Sequence, residues 1–143
     1  MSAARRLCTF ALGGLLYGID VERVLEVIRG PEITRLPLAP PVVRGLVNLR
    51  GRIVPVIDMR RCLGLEERAT REQPVHIVVV HGDDAASLLV DAAGDVLRVE
   101  QAIEPAPDTL RGRPRELLEG AYPLADRLLH VLDLGRTLAA AQA

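Results

Sequence analysis

Residues 44–63 read RGLVNLRGRIVPVIDMRRCL, and residues 119–138 read EGAYPLADRLLHVLDLGRTL. The two stretches align without a gap when the chain is shifted by 75 residues along itself. Seven of the twenty aligned positions are identical: Gly45/Gly120, Leu49/Leu124, Arg52/Arg127, Val56/Val131, Asp58/Asp133, Arg61/Arg136 and Leu63/Leu138. Several of the other pairs, such as Ile53 with Leu128 and Ile57 with Leu132, set one apolar residue against another. The chain therefore contains an internal repeat, which decides how its fold is organised.

The repeat extends upstream in a weaker form. Apolar strands end at Ile19-Asp20 in the first half and at Val90-Asp91 in the second, and a Val-Leu pair follows each of them. About five short strands in each half, punctuated by Gly, Pro and Asp, predict an all-β fold of two similar small barrels related by a pseudo-two-fold. We expect one domain over residues 1–143, with one subdomain at about 7–65 and the other at about 75–138.

Local patterns predict the individual elements. Hairpins are expected around Gly13-Gly14 and around Arg50-Gly51, because glycine supplies the positive φ angles that tight hairpin turns need. A short helix is predicted from Val21 to Ile28, where apolar residues recur at helical spacing after Asp20, a suitable N-cap. Pro31 ends this helix.

Three further expectations concern the later strands and the end of the chain. Pro55 cannot donate to a strand ladder, so its strand is expected at an edge or a bulge. His130 occupies the matching position of the second repeat, and His76 alternates with apolar residues, so both are also interpreted as edge positions. Residues 136–141 favour a terminal helix.

The composition argues against several functions. The formal net charge is -1, whereas non-specific nucleic-acid binding draws on an excess of Lys and Arg. Phe10, Tyr17 and Tyr122 are the only aromatic residues, too few for the stacking platforms of single-strand binders. Cys8 and Cys62 belong to no metal-binding motif and are expected to be buried, reduced thiols. No apolar run reaches the roughly 18 residues of a membrane-spanning helix, so a soluble cytoplasmic protein without direct membrane insertion is predicted.

The sequence offers no candidate set of catalytic groups. Glycines 13, 14 and 18 form no phosphate-binding loop, because the chain has no lysine to reach a phosphate. His81 near Asp83 and Asp84 is the one local cluster of metal-ligand types, and a solvated turn explains it. We therefore predict a protein that is not an enzyme and that needs no cofactor or metal.

The two repeats differ most at one turn, and this difference singles out Arg50. Asn48-Leu49-Arg50-Gly51 in the first repeat aligns with Pro123-Leu124-Ala125-Asp126 in the second. Matched positions such as Gly45/Gly120 and Asp58/Asp133 are interpreted as turn and cap residues that the fold requires. Since Ala125 occupies the matching position of the second repeat, the fold does not require an arginine at position 50. Arg50 is therefore free for a functional role.

The residues from Val43 to Arg60 resemble the CheW family of chemotaxis coupling proteins, whose signature has an Arg-Gly, an Asn-Leu-Arg-Gly turn and a Pro-Val-Ile-Asp strand. Tyr17-Gly18-Ile19-Asp20, Asp95-Val96-Leu97 and Asp126-Arg127-Leu128-Leu129 are supporting matches. The resemblance spans roughly Leu7 to Leu138. It implies two five-stranded SH3-like barrels packed side by side, in agreement with the repeat.

The resemblance also implies a function and a site. A CheW-like adaptor would bind the cytoplasmic tip of a methyl-accepting chemoreceptor in a groove between its barrels, and the regulatory domain of a CheA-type histidine kinase through barrel ends, within a two-component signalling system. In the family a glutamate pairs with the arginine of the Asn-Leu-Arg-Gly turn near the receptor groove. The candidate receptor-binding residues here are Val24, Glu26, Val27, Asn48, Arg50 and Gly51.

Two alternatives stay open at this point. The Glu26–Arg50 pair could be an internal brace with no part in binding. The chain also departs from the family pattern at Asp83–Ser87 and at Tyr122–Ala125, so a divergent member that binds receptors without recruiting kinase is the second candidate function.

Overall fold

The computed structural model describes residues 4–67 and 74–142, and within these ranges the chain is built mainly from β-strands. The ten strands are β1 (Arg5–Leu12), β2 (Leu15–Asp20), β3 (Val24–Arg29), β4 (Val43–Leu49), β5 (Arg52–Asp58), β6 (Val75–His81), β7 (Asp84–Val90), β8 (Ala92–Val99), β9 (Leu118–Pro123) and β10 (Leu128–Leu132). The helices are a 3₁₀ turn at Val21–Arg23, α1 (Met59–Cys62), α2 (Arg113–Glu116) and α3 (Leu134–Ala141). The hairpins predicted around Gly13-Gly14 and Arg50-Gly51 and the terminal helix are confirmed.

The strands form two five-stranded sheets, which we call the first and the second barrel. The strand order is β8-β1-β2-β10-β9 in the first barrel and β3-β6-β7-β5-β4 in the second. Neighbouring strands are antiparallel except for β10 with β2 and β5 with β7, which are parallel. The all-β architecture with short helices matches the prediction.

The two barrels exchange strands between the two halves of the chain. Strand β1 corresponds to β6, β2 to β7, and so on to β5 and β10. When each strand is exchanged for its counterpart, the strand order of one barrel becomes that of the other. This equivalence is the pseudo-two-fold relation expected from the repeat. The first barrel, however, combines β1 and β2 of the first repeat with β8, β9 and β10 of the second. The second barrel combines β6 and β7 of the second repeat with β3, β4 and β5 of the first.

The exchange corrects the subdomain boundaries expected from the sequence. The segments 7–65 and 75–138 are the repeats, but neither of them forms a barrel by itself. The reason lies in the connections: only a three-residue 3₁₀ turn separates β2 from β3, and Asp91 alone separates β7 from β8. At each of these points the chain leaves one barrel and enters the other.

Three apolar clusters follow from this arrangement. The first barrel encloses Leu7, Leu16, Val99, Tyr122, Leu129 and Val131, and the second encloses Val47, Val54, Val56 and Leu89. The largest cluster lies between the barrels, where Phe10 and Tyr17 of β1 and β2 share a core with Ile77 and Leu88 of β6 and β7. Burial of this shared surface joins the two barrels.

The matched residues of the repeat have matched structural roles. A Cβ atom at Gly45 would collide with the carbonyl oxygen of Thr34, and one at Gly120 would collide with the carbonyl oxygen of Glu104. In both places an extended segment bridges to the edge strand of a barrel. The glycines are therefore required by close backbone approach.

The aspartates of the repeat cap helices, as predicted. Oδ1 of Asp58 accepts a hydrogen bond from the backbone N–H of Arg61 at 3.2 Å, and Oδ1 of Asp133 accepts one from Arg136 at 3.0 Å. These are N-cap interactions at the starts of α1 and α3.

The helix predicted from Val21 to Ile28 is wrong. After the 3₁₀ turn, residues 24–29 form strand β3, which pairs with β6 and alternates between half-buried and exposed side chains. The register shifts between Val24 and Glu26, so Leu25 occupies a bulge. Valine and isoleucine favour strands over helices, and pairing with a neighbouring strand outweighs the helical spacing of the apolar residues.

The edge positions predicted for Pro55, His76 and His130 also need correction. β5, β6 and β10 all lie inside their sheets, and both histidines are buried. Burial is possible because one nitrogen of each ring has a partner: Nδ1 of His76 lies 2.8 Å from Oγ of Ser87, and Nδ1 of His130 lies 2.9 Å from the carbonyl oxygen of Leu16. An imidazole with a hydrogen-bond partner can be buried at small cost.

Pro55 creates a local opening within an interior strand. The parallel pairing of β5 with β7 covers only Val56 to Asp58, whereas β10 pairs with β2 through His130, the residue that matches Pro55. Proline has no N–H to donate. Residues 52–55 of β5 are therefore unpaired on the side that faces the start of β7, and we call this opening the seam.

Candidate functional site

The β4–β5 turn has a strained residue at its centre. Arg50 has a φ of 54° and Gly51 a φ of 84°, the left-handed pair of a two-residue hairpin turn that matches the twist of its strands. Oδ1 of Asn48 accepts a hydrogen bond from the N–H of Gly51 at 3.0 Å. Asn48 and Gly51 thus hold Arg50 in a conformation that residues other than glycine rarely adopt.

The turn directs the Arg50 guanidinium towards Glu26. Nη2 of Arg50 lies 3.0 Å from Oε2 of Glu26, the contact expected from the resemblance. The Arg50 side chain is 86% exposed, whereas that of Glu26 is 22% exposed. An ion pair this open to water contributes at most about 1 kcal/mol to stability, so the fold does not depend on it.

The ion pair connects the two edges of the second barrel. β3 and β4 lie at opposite ends of the strand order, and Glu26 belongs to the first while Arg50 follows the second. Other residues line a shallow pocket beneath the pair: Leu25, Leu49, Arg52, Val54, Val78 and Ala85. The arrangement is an exposed charge pair at the rim of a largely apolar depression.

The candidate residues are only partly brought together. Glu26, Asn48, Arg50 and Gly51 form one continuous site. Val24 is half-buried and packs against the central core instead, and Val27 is exposed on the strand but does not line the pocket.

Leu25, which is 56% exposed and lines the pocket, was missed by sequence reasoning. No sequence signal marks the bulge that places it there.

The equivalent positions of the first barrel carry no such pair. Ala125 stands in place of Arg50, whereas the strand register sets Asp95 in place of Glu26, because Val27 opposite Ile77 corresponds to Val96 opposite Cys8. Arg98 of β8 has a different partner. Nη2 of Arg98 contacts Oε1 of Glu100 at 3.1 Å. The charge pair over a pocket is therefore a feature of one barrel, while the strand plan is common to both.

Two half-buried arginines have structural partners. The Arg5 guanidinium contacts both carboxylate oxygens of Asp20 at 2.8 and 3.0 Å and those of Glu119 at 3.0 and 2.8 Å, which raises the pKa of Arg5. Arg60 contacts both oxygens of Asp91 at 2.7 and 2.6 Å, and this raises its pKa too. Such bidentate pairs fix geometry. They hold strand ends in place in both barrels.

The cysteines are buried and free, as expected, and burial raises the pKa of both thiols. Within residues 4–67 and 74–142, no group of three or more His, Cys, Asp or Glu side chains is arranged to hold a metal ion. Nor is any helix in this part of the chain both long and apolar enough to cross a bilayer.

The protein consists of two fused five-stranded barrels, one of which exposes the Arg50 guanidinium on a turn. This architecture is that of a scaffold protein that binds partners on its surface. A family model described as CheW-like domain matches residues 6–142. The chain therefore belongs to the CheW-like domain family, whose members are scaffolding proteins and not enzymes.

Individual relatives agree with this assignment. The chain is 35% identical over 130 residues to chemotaxis protein CheW of Klebsiella aerogenes, which covers 90% of this chain and 78% of the relative. It is 30% identical over 139 residues to chemotaxis protein CheW of Bacillus subtilis, covering 96% and 89%. The crystal structure of the scaffolding protein TtCheW from Thermoanaerobacter tengcongensis matches with a TM-score of 0.81 at 30% identity, covering 93% of this chain and 90% of that one.

Proposed function

We propose that this protein is a cytoplasmic, non-enzymatic adaptor that couples methyl-accepting chemoreceptors to a CheA-type histidine kinase in a chemotaxis-like pathway. Family membership supports the adaptor role. One structural observation carries the assignment of the receptor surface: the Glu26–Arg50 pair is exposed on one barrel, is absent from its twin, and adds little to folding. A charge that the fold does not need is available for a partner.

The proposed receptor surface consists of the β4–β5 turn and the adjoining strand β3. Arg50 offers hydrogen-bond donors that its contact with Glu26 leaves partly open, while Leu25 and Val27 offer exposed apolar area. A helical receptor tip presents apolar residues flanked by charges at helical spacing, which suits a depression with a charged rim. Asn48 and Gly51 act as positioning residues, because they fix the conformation of the turn.

The kinase regulatory domain is proposed to bind at barrel ends, away from this turn. The alternative is a receptor-binding protein that recruits no kinase. The sequence departures at Asp83–Ser87 favour that alternative, whereas the regular hairpin there, with Gly82 at a φ of 62° and His81 paired with Asp84, favours the coupling role. Separate binding measurements on the two partners decide between them.

The test compares Arg50→Ala with Arg98→Ala, which changes an exposed arginine on the edge strand β8 of the other barrel. Each variant is checked for fold by circular dichroism and then assayed for capture of a receptor tip fragment and of a kinase regulatory domain. We expect Arg50→Ala to fold normally and to lose most receptor capture, whereas Arg98→Ala binds like the original protein. Unchanged receptor capture by a folded Arg50→Ala variant would show that the pair is only a brace.

A further inference from the structure

Among the described residues, Arg50 and Leu38 are the two residues other than glycine with a positive φ. Leu38 has a φ of 66° in the turn 36–39, where the N–H of Ala39 donates to the carbonyl oxygen of Leu36 at 3.3 Å. A type II turn has proline at its second position and a residue with a positive φ at its third, where glycine or asparagine is favoured. Pro37 and Leu38 occupy these two positions. Leucine there costs about 1–2 kcal/mol.

The same residue is unfavourable for a second reason. The Leu38 side chain is fully exposed, and Leu36 is 47% exposed. Residues 36–41 read LPLAPP, six consecutive residues without a polar side chain. We call the turn 36–39 the knob. A strained backbone that displays an apolar side chain to water indicates a contact made outside this chain.

The spacing of Pro37 and Pro40 matches the PxxP pattern that SH3 domains bind as a polyproline helix. That conformation requires φ near −75° at each position. Leu38 has the opposite sign, so the knob is not such a ligand. It is instead a rigid projection suited to an apolar depression.

A depression of this kind lies on the same protein. It runs along the seam between β5 and β7 and continues to α3, and its walls include Val43, Pro55, Ile57, Leu138 and Ala141. We call it the socket. Asp84 lies on its rim and is exposed.

Knob and socket also carry opposite charges. Arg35 is exposed and immediately precedes the knob. Across the described residues, neither the Arg35 guanidinium nor the Asp84 carboxylate has an ion pair or a side-chain hydrogen bond within the chain. Insertion of the knob into the socket of another molecule would bring these two charges together.

We propose that the knob of one molecule binds the socket of a second copy, forming a reciprocal dimer. Val43 on the socket wall follows Leu38 by five residues, a reach of at most about 18 Å. Because knob and socket are so near each other, a two-fold arrangement lets each molecule insert its knob into the other, and the contact closes without forming fibres. The contact is small, so the dimer is weak and depends on concentration.

The first test uses Leu38→Asn, measured by sedimentation velocity over a wide range of protein concentrations. Asparagine tolerates a positive φ, so this variant keeps or gains stability while the apolar contact is lost. We expect the dimer to weaken at least tenfold. The control is Val96→Thr, which changes an exposed apolar residue on β8 and should dimerise like the original protein.

The second test is a charge exchange. Arg35→Glu and Asp84→Arg should each weaken the dimer severalfold, and the double variant should recover it. An original protein that stays monomeric at all concentrations, or a double variant no better than the single ones, overturns the proposal. The proposal is also overturned if the Leu38→Asn variant dimerises like the original protein but no longer captures a receptor or kinase fragment. In that case the knob would bind that partner and not a second copy of the chain.

Discussion

The two barrels share a strand plan and differ at the tip of one hairpin. In the second barrel, the β4–β5 turn holds Arg50 over Glu26 and a shallow pocket; in the first, Ala125 and Asp95 stand at the matching positions. The features common to both barrels, such as the glycines at close approaches and the capping aspartates, serve the fold. A repeat within one chain thus separates the residues that folding requires from those available for binding.

The largest effect is expected where the two barrels are most alike. Gly45→Ala and Gly120→Ala should each destabilise the protein by about 2–3 kcal/mol, because the new methyl group meets a backbone carbonyl that cannot easily move. Chemical denaturation measures this. The control is Gly82→Ala, which has open space around it and a φ of 62°, and should cost about 1 kcal/mol from backbone strain alone. Equal losses for all three variants would contradict the steric explanation.

The capping aspartates should differ in a graded way. Asp133→Ala removes an N-cap from α3 and should cost about 1 kcal/mol. Asp58→Ala should cost about 2 kcal/mol, because the buried Asp58 carboxylate also accepts a hydrogen bond from Nε of Arg44 at 2.9 Å. If Arg44→Ala lowers the effect of Asp58→Ala to that of Asp133→Ala, the difference is due to this contact. If it does not, the cap of α1 is stronger by itself.

The repeat, the hairpins, the caps and the exposed bend at Arg50 could all be predicted from the sequence, because each depends on a few residues close together in the chain. The exchange of strands between barrels could not. The internal repeat identifies which strands are equivalent. The sequence of β3, however, would allow it to pair with either β1 or β6. The choice is made by the shared core between the barrels.

Strand β3 shows a second limit. Apolar residues at 21, 24, 25 and 28 fit a helix, and the bulge at Leu25 interrupts the alternation that would have identified a strand. The contact between Glu26 and Arg50 was therefore predicted correctly, but the apolar contacts beside it were assigned to Val24 and Val27 and not to Leu25, which lines the pocket. A bulge is set by pairing with a partner strand, which is invisible in one segment alone.

The second barrel should also confer a pH dependence. Burial lowers the pKa of His76 below its ordinary value of 6.5, so the folded protein holds this ring neutral while the unfolded chain takes up a proton in acid. Stability is then lost as the pH falls below about 6.5, by about 1 kcal/mol per pH unit. Denaturation of the original protein and of His76→Leu/Ser87→Ala between pH 7.5 and 5 measures this. The double variant, which removes both polar partners, should show a shallower decline, and an equal decline would assign the dependence elsewhere.

The smallest effect is expected at the feature that distinguishes the barrels. A double-mutant cycle of Glu26→Ala and Arg50→Ala should give a coupling energy of about 0.5 kcal/mol, since the pair is exposed and screened by salt. The complementary experiment installs the pair in the first barrel with Asp95→Glu and Ala125→Arg. A coupling of the same size there, with no gain in capture of a receptor fragment, would mean that the pair acts together with the Leu25 bulge and the pocket beneath it. A coupling well above 1 kcal/mol at the native site would instead make Glu26–Arg50 a structural brace, because an ion pair on which folding depends is not free to exchange its partner for a receptor.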